Sequence, residues 1–202
     1  MALSSIPSSA RGIKVDRFRR LFEAPWFSLV LVLIPSVMDV ILRSESWPRW
    51  IEAILDETGH SATAMLLFLA VMAMLQRPVS MPLLVAALSG GVLIDVDHIP
   101  SEIFGWGVFT EGTVRPYSHS LTTIVAMVGM AIVSRRHRDL ILTIAFGVAT
   151  HLLRDLATNG VSLFWPLTSR NVELEYLIYL IVLSAAALVS AFVRRSTRVP
   201  GA

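Results

Sequence analysis

The 202-residue sequence contains no cysteine, and charged residues make up only 16% of it. The absence of cysteine excludes disulfides and thiolate metal sites, so any metal ion must be held by histidine, aspartate or glutamate. Soluble domains average about 25% charged residues, whereas 54% of this chain is hydrophobic. The composition therefore indicates a membrane protein.

Six apolar segments are candidates for transmembrane helices. A bilayer core requires about 20 mostly apolar residues per helix, and backbone groups in lipid must form their hydrogen bonds internally. We therefore predict an all-α fold, a polytopic membrane helical bundle with about six transmembrane helices. The predicted spans are Ala24–Leu42, His60–Leu75, Met81–Ile94, His119–Val133, Leu140–Leu156 and Leu174–Val193.

Basic residues flank the membrane domain and indicate its orientation. Residues 1–23 form a basic N-terminal segment, residues 24–193 the membrane-embedded domain, and residues 194–202 a basic tail. Lysine and arginine accumulate in cytoplasmic loops, and with six spans the four basic clusters all fall on one side. We therefore expect both termini in the cytoplasm. The first span has no clear small-residue cleavage site after it, which favours a retained anchor over a signal peptide.

Four of the five histidines map to the outer face of this topology, together with three aspartates. They lie where the predicted spans begin or end, and only His137 maps to the cytoplasmic side. The outer group consists of His60 at the start of the second span, Asp95, Asp97 and His98 after the third, His119 at the start of the fourth, and His151 and Asp155 at the end of the fifth.

The spacing of these residues suits a divalent metal ion. His151 and Asp155 are four positions apart and share one helix face, while Asp97 and His98 are adjacent, in a predicted turn. Imidazoles combined with carboxylates favour Zn²⁺, with Mn²⁺ or Fe²⁺ as alternatives. Three protein ligands and an open position form the arrangement of catalytic zinc, and ionisable groups inside a membrane are usually functional.

Other polar residues near this face have structural interpretations. Asp56 and Glu57 would favour the start of the second span through its helix dipole. Ser118 would be the N-cap of the fourth span. Asp39, near the outer end of the first span, either supports the site or is exposed.

Four sequence blocks, ETGHSAT, DVDHIPS, RPYSHSL and HLLRDLATNGVSLFWPL, occur in this order between about His60 and Leu167. In order and spacing they resemble the YdjM-like family of inner-membrane, metal-dependent hydrolases. That family is distantly similar to zinc-dependent phospholipase C and P1-type nucleases, which are helical enzymes that hold metal ions with His and Asp. The resemblance implies a location in a bacterial inner membrane and hydrolysis of a phosphoester.

The chain matches the family pattern at most positions and departs from it at a few. Val114 stands where family members often have histidine, and Pro116 replaces a usual glycine. The matching positions are Gly59 and His60, Asp95, Asp97 and His98, Arg115, Ser118, His119 and Ser120, and His151, Asp155, Thr158, Gly160, Trp165 and Pro166.

The leading hypothesis is a membrane-embedded metal-dependent hydrolase that acts on a lipid or lipid-linked phosphoester at the outer face. Asp95 would bridge metals or act as general base, or else cap a helix or pair with Arg115. Arg115 would clamp a phosphate oxygen in a bidentate way, or it would snorkel to the interface. The proposed metal ligands are His60, Asp97, His98, His119, His151 and Asp155.

Two other classes of protein remain as alternatives. A divalent-cation transporter would hold its His/Asp site near the midplane, between broken helices, whereas the predicted ligands lie at helix ends. A non-catalytic, metal-stabilised membrane protein would have a closed coordination shell. Nucleic-acid binding is not expected, because the basic clusters are short and are accounted for by topology.

Overall fold

The computed structural model describes residues 20–99, 112–113 and 115–196, with side chains up to residue 193. All the regular elements in these residues are α-helices or 3₁₀-helices, and no strand forms among them. The all-α prediction is therefore confirmed for the described part of the chain. The helices in chain order are α1 (Pro25–Leu31), α2 (Leu33–Ser44), α3 (Arg49–Met74), α4 (Met81–Val92), α5 (Leu121–Val133), α6 (Arg138–Thr158) and α7 (Tyr176–Ser196), with 3₁₀ turns at Leu93–His98 and Arg135–His137.

Five helical segments among the described residues are long and apolar enough to cross a membrane. Each corresponds to one of the predicted spans, and the remaining predicted span, His119–Val133, corresponds to α5. With 13 residues, α5 is about 20 Å long, two-thirds of a hydrocarbon core of about 30 Å. The five longer segments are Pro25–Ser44, Arg49–Met74, Met81–His98, Arg135–Thr158 and Tyr176–Val193.

The second span begins well before the predicted boundary. Helix α3 starts at Arg49, so His60 lies inside a 26-residue helix and does not open it. Asp56 and Glu57 are also interior residues of α3, and their predicted role at a helix start is wrong. The prediction failed because the first turns of α3 carry charged residues that lower the local hydropathy, although the helix continues through them.

The crossing of α4 and α6 depends on glycine. A β-carbon at Gly90 would collide with the backbone oxygen of Ile144, and one at Gly147 would collide with the backbone oxygen of Ala87. Small residues allow such close approach between membrane helices. The crossing places the 3₁₀ turn that follows α4 against the C-terminal half of α6, where Asp95 faces His151.

The remaining core lies between α1, α3 and α7. Leu66 and Leu69 of α3 and Leu183 of α7 are fully buried. The polar groups in this region are paired: the hydroxyls of Thr63 and Tyr179 lie 2.7 Å apart. The outward surfaces of α5 and α7 carry exposed large apolar side chains, as expected of helices that face lipid; they include Val125, Ile132, Val133, Leu177, Ile181 and Phe192.

Candidate metal centre

The structure brings the sequence-predicted residues together where α3, the 3₁₀ turn after α4, the segment before α5 and the C-terminal half of α6 meet. Among the residues that the structure describes, three groups of three side chains have ligand atoms within 4.8 Å of one another. The groups are His60, His151 and Asp155; Asp95, His98 and His119; and Asp56, His60 and Asp95.

His151 is oriented by a backbone hydrogen bond and faces two carboxylates. Its Nδ1 lies 2.8 Å from the backbone oxygen of Gly91. A carbonyl only accepts hydrogen bonds, so Nδ1 carries a proton and Nε2 of the neutral ring has a free lone pair. Nε2 lies 3.3 Å from Asp95 Oδ1 and 3.2 Å from Asp155 Oδ2, with no hydrogen bond to either. Three acceptors therefore face one another, and a proton or a metal cation must lie between them.

His60 lies parallel to His151, with ring centroids 3.7 Å apart. It is fully buried, and neither of its ring nitrogens has a hydrogen-bond partner. Its Nε2 is 3.4 Å from Asp155 Oδ1 and 3.7 Å from Asp56 Oδ2. His60 lies about 20 Å along α3 from Met74, and His151 lies about 20 Å along α6 from the start of that helix, so both are at the same depth.

The second group is built around Asp95. Its Oδ1 lies 2.9 Å from His119 Nε2 and 3.5 Å from His98 Nε2. His119 is almost fully buried although it precedes α5. The same Asp95 oxygen faces His151, so the two groups share a boundary.

Asp97 lies on the far side of His119 and is in none of the three groups. Its Oδ2 accepts a hydrogen bond from the hydroxyl of Ser118 and lies 3.6 Å from His119 Nδ1. Ser118 is therefore a partner of Asp97 and not the predicted N-cap, a position that Ser120 occupies. Burial lowers the pKa of His119, but Asp95 and Asp97 outweigh that effect and raise it.

Arg115 points into the protein. Its Nη2 lies 3.0 Å from Asp155 Oδ1, so its carboxylate partner is Asp155, whereas Asp95 faces histidines. With its amide oxygen turned towards the guanidinium, Asn159 accepts a hydrogen bond from the same Nη2 at 3.1 Å. The Nε of Arg115 is buried without a hydrogen-bond partner.

Arg154 is a residue of the site that the sequence analysis missed. It is fully buried and donates to Asp39 Oδ1 at 2.5 Å and to Asp56 Oδ1. Tyr176 donates to the other oxygen of Asp39 at 2.7 Å, so Asp39 supports the site and is not exposed. A β-carbon at Gly59 would lie 2.6 Å from Arg154 Nε. The signal in the sequence was the arginine inside HLLRD, between two candidate ligands.

These observations fit a divalent metal ion. Both ring nitrogens of His60, Nε2 of His151 and both oxygens of Asp155 are buried without hydrogen bonds, and buried polar groups are costly unless they are satisfied. Imidazole and carboxylate donors suit Zn²⁺, Mn²⁺ or Fe²⁺. The residues present can therefore hold such an ion.

A cavity of about 1090 Å³ opens onto the centre. Its inner wall includes Asp95, His98 and Arg115, and its opposite wall comes from α2 and the start of α3. Basic, acidic and apolar side chains line the rest of it, so a ligand with both charged and apolar parts fits its chemistry. These lining residues include Leu42, Arg43, Arg49, Trp50, Val92, Leu93, Val96 and Ile99.

Apolar helices of spanning length around a buried His/Asp centre define a multi-pass membrane protein with a candidate metal site. The model of the YdjM inner membrane protein family matches residues 55–200, most of the chain, and the chain belongs to this family. The resemblance noted in the sequence is thus confirmed over a wider range than the four blocks. Helices α1 and α2 and the start of α3 precede the match. No curated protein and no solved structure matches the chain.

Proposed function

We propose that the protein is a metal-dependent hydrolase of a bacterial inner membrane that cleaves a phosphoester in a lipid or lipid-linked substrate at the outer face. One observation carries the proposal: His151 Nε2 and both Asp155 oxygens are buried, without hydrogen bonds, beside a cavity that reaches Asp95, His98 and Arg115. An acceptor cluster next to a cavity is what a catalytic metal site with an open position requires.

The residues around the cluster have different chemical roles in this proposal. A divalent ion held by His60, His151 and Asp155 would act as a Lewis acid and lower the pKa of water to about 7. Asp95 is placed to accept a proton at the cavity wall. Arg115 holds Asp155 through Nη2, while its Nε has no partner and remains available to an anionic oxygen. Planar guanidinium groups bind phosphate oxygens in this way.

The walls of the cavity favour an amphiphilic substrate. Trp50, Leu93 and Val96 are all more than half exposed, although they line the cavity. Arg43 and Arg49 line it as well. Carboxylates line it too, and this mixed charged and apolar lining at the outer level of the bundle suits an amphiphilic lipid whose head group enters the cavity while its chains stay in the bilayer.

A divalent-cation transporter remains the second candidate, because of the position of His60. The sequence analysis placed the ligands at helix ends, but His60 lies inside α3. Its depth is about 20 Å from Met74, nearer to the midplane that transporter sites occupy. The cavity that leads from α2 and α3 to the centre supports the hydrolase.

The test is a lipid hydrolysis screen with the full-length protein, purified in detergent and analysed for bound metal. We expect release of a phosphorylated head group or of phosphate that stops with chelator and returns with Zn²⁺ or Mn²⁺. Asp155→Asn should abolish it, whereas His137→Ala, on the opposite loop, should not. Metal uptake into reconstituted vesicles, without hydrolysis of any lipid phosphoester, would favour the transporter.

A further inference from the structure

We propose that this centre holds two divalent ions rather than one, with Asp95 and Asp155 shared between them. The inference rests on the metal centre of the proposed function and adds the number of ions and their ligands. One ion would belong to His60, His151 and Asp155, and the other to Asp95, His98 and His119.

The two groups of ligands are separate in composition. Each contains two histidines and one aspartate, no residue belongs to both, and the ligand atoms within each group lie within 4.8 Å of one another. A single ion has too few positions for six such side chains when its site is tetrahedral, as zinc sites usually are. Two ions use all six.

The two aspartates connect the groups. Asp95 Oδ1 lies 2.9 Å from His119 Nε2 in its own group and 3.3 Å from His151 Nε2 in the other. Asp155 Oδ2 lies 3.2 Å from His151 Nε2 in its own group and 3.7 Å from His119 Nε2 in the other. Carboxylates with contacts on both sides are suited to bridge ions about 3.5–4 Å apart, the spacing of two-metal hydrolytic sites.

Each group also has one histidine whose second nitrogen is oriented. His151 Nδ1 is fixed by the backbone oxygen of Gly91, and His119 Nδ1 faces Asp97. Metal-binding histidines usually have a carbonyl or carboxylate on the other ring nitrogen. Each of the two groups therefore contains a histidine whose ring is oriented for metal binding by a partner on its other nitrogen.

The experiment counts ions in the full-length protein in detergent, independently of activity. Protein stripped with chelator is titrated with Zn²⁺ by calorimetry, then desalted and analysed for metal. We expect two equivalents in the wild type, one in His98→Ala and two in His137→Ala. His98 is the most exposed of the four histidines, so its truncation disturbs the packing least. Circular dichroism checks that each variant is folded.

A spectroscopic measurement separates two neighbouring ions from two distant ones. After loading with Mn²⁺, the wild type should give the broadened electron paramagnetic resonance signal of a coupled pair, and His98→Ala the six-line signal of an isolated ion. Two equivalents of Mn²⁺ without coupling would overturn the shared arrangement.

The outcomes distinguish this inference from the hydrolase itself. One equivalent in the wild type, lost entirely in His98→Ala, would overturn the two-ion centre even if lipid hydrolysis were found. Two equivalents in both proteins would also overturn it, because His98 would not be a ligand. Two coupled ions without any hydrolysis would support the centre and reject the enzyme.

Discussion

The guanidinium of Arg154 donates to Asp39 across 2.5 Å, although the two residues lie 115 positions apart in the chain. The same guanidinium binds Asp56, and the other oxygen of Asp56 is 3.7 Å from His60 Nε2. Helix α2, which precedes the family match, is thereby connected to the candidate ligands. We infer that α2 is part of the site's support.

Replacing Asp39 by Ala should destabilise the protein strongly. Arg154 would keep only Asp56 as its carboxylate partner, and removing one partner of a buried ion pair costs about 3–5 kcal/mol. Unfolding in detergent, followed by circular dichroism, measures the change in the free energy of unfolding. Asp139→Ala is the control, because Asp139 is exposed at the start of α6 and an exposed substitution usually changes stability by about 0.5 kcal/mol or less. Equal effects of the two variants would contradict a stabilising role for the buried pair.

Gly59→Ala should weaken metal binding without touching a ligand. The new β-carbon would lie 2.6–2.7 Å from three atoms of the Arg154 guanidinium. The guanidinium must therefore move, and its ion pair with Asp56 is lost. Metal affinity, measured by calorimetry on chelator-treated protein, should fall relative to the wild type.

Gly129→Ala provides the matched control for that change. Nothing lies within 4 Å of a β-carbon at Gly129, and alanine in a helix is about 0.5–1 kcal/mol more favourable than glycine. Its metal affinity should equal that of the wild type. A fall of the same size in both variants would show that the loss of affinity in Gly59→Ala does not come from the contact with Arg154.

Asp97→Asn should reduce metal affinity about 10–100-fold while the number of bound ions stays the same. Asp97 faces the second nitrogen of His119, and loss of such an orienting partner has an effect of that size. Ser118→Ala, which removes only the hydroxyl that donates to Asp97, should act in the same direction and less strongly. Loss of a whole equivalent in Asp97→Asn would instead make Asp97 a direct ligand, as the sequence predicts.

The sequence was sufficient to predict that distant residues would meet. Arginine and lysine positions give the topology, and the topology places His60, His119 and His151 on one face without any knowledge of contacts. The structure brings these three together. The physical reason is that successive spans cross the membrane in alternating directions, so the order of the spans determines which helix ends share a side, and loop charge predicts which side is cytoplasmic.

Two features could not be predicted from local pattern. Helix α3 extends to Arg49 because packing and helical hydrogen bonding tolerate charged residues that a hydropathy criterion rejects. Arg154 is a buried ion-pair centre only because Asp39 approaches from another helix, and no short-range spacing reveals a partner 115 positions away. Long-range Coulomb pairing is a property of the fold.

The predicted orientation is tested by reporter fusions after His137 and after Ser169. His137 lies in the basic turn before α6, and Ser169 lies in the exposed segment between α6 and α7. A single span, α6, separates these positions, so the first fusion should report the cytoplasm and the second the outer side. If both report one compartment, α6 does not cross the membrane and the six-span topology is wrong.

Arg115→Lys separates an enzyme from a transporter. Lysine keeps the positive charge beside Asp155 but lacks the planar guanidinium group, which can bind two oxygens at once. If Arg115 stabilises the transition state of phosphoester cleavage, lipid hydrolysis should fall about 10²–10³-fold, the usual effect of removing one such donor. Bound metal, measured on the same samples, should stay constant because the charge on Asp155 is still compensated.

The control for that change is Arg170→Lys, at an exposed position of the segment between α6 and α7, which should retain wild-type turnover. A cation transporter does not need a guanidinium group that binds a phosphate. Metal uptake into vesicles should therefore be the same in Arg115→Lys as in the wild type. Hydrolysis that survives Arg115→Lys at the wild-type rate would remove Arg115 from the reaction and leave it as the ion-pair partner of Asp155 alone. Lost hydrolysis with full metal content would place the guanidinium geometry in the transition state, because charge and coordination are both preserved.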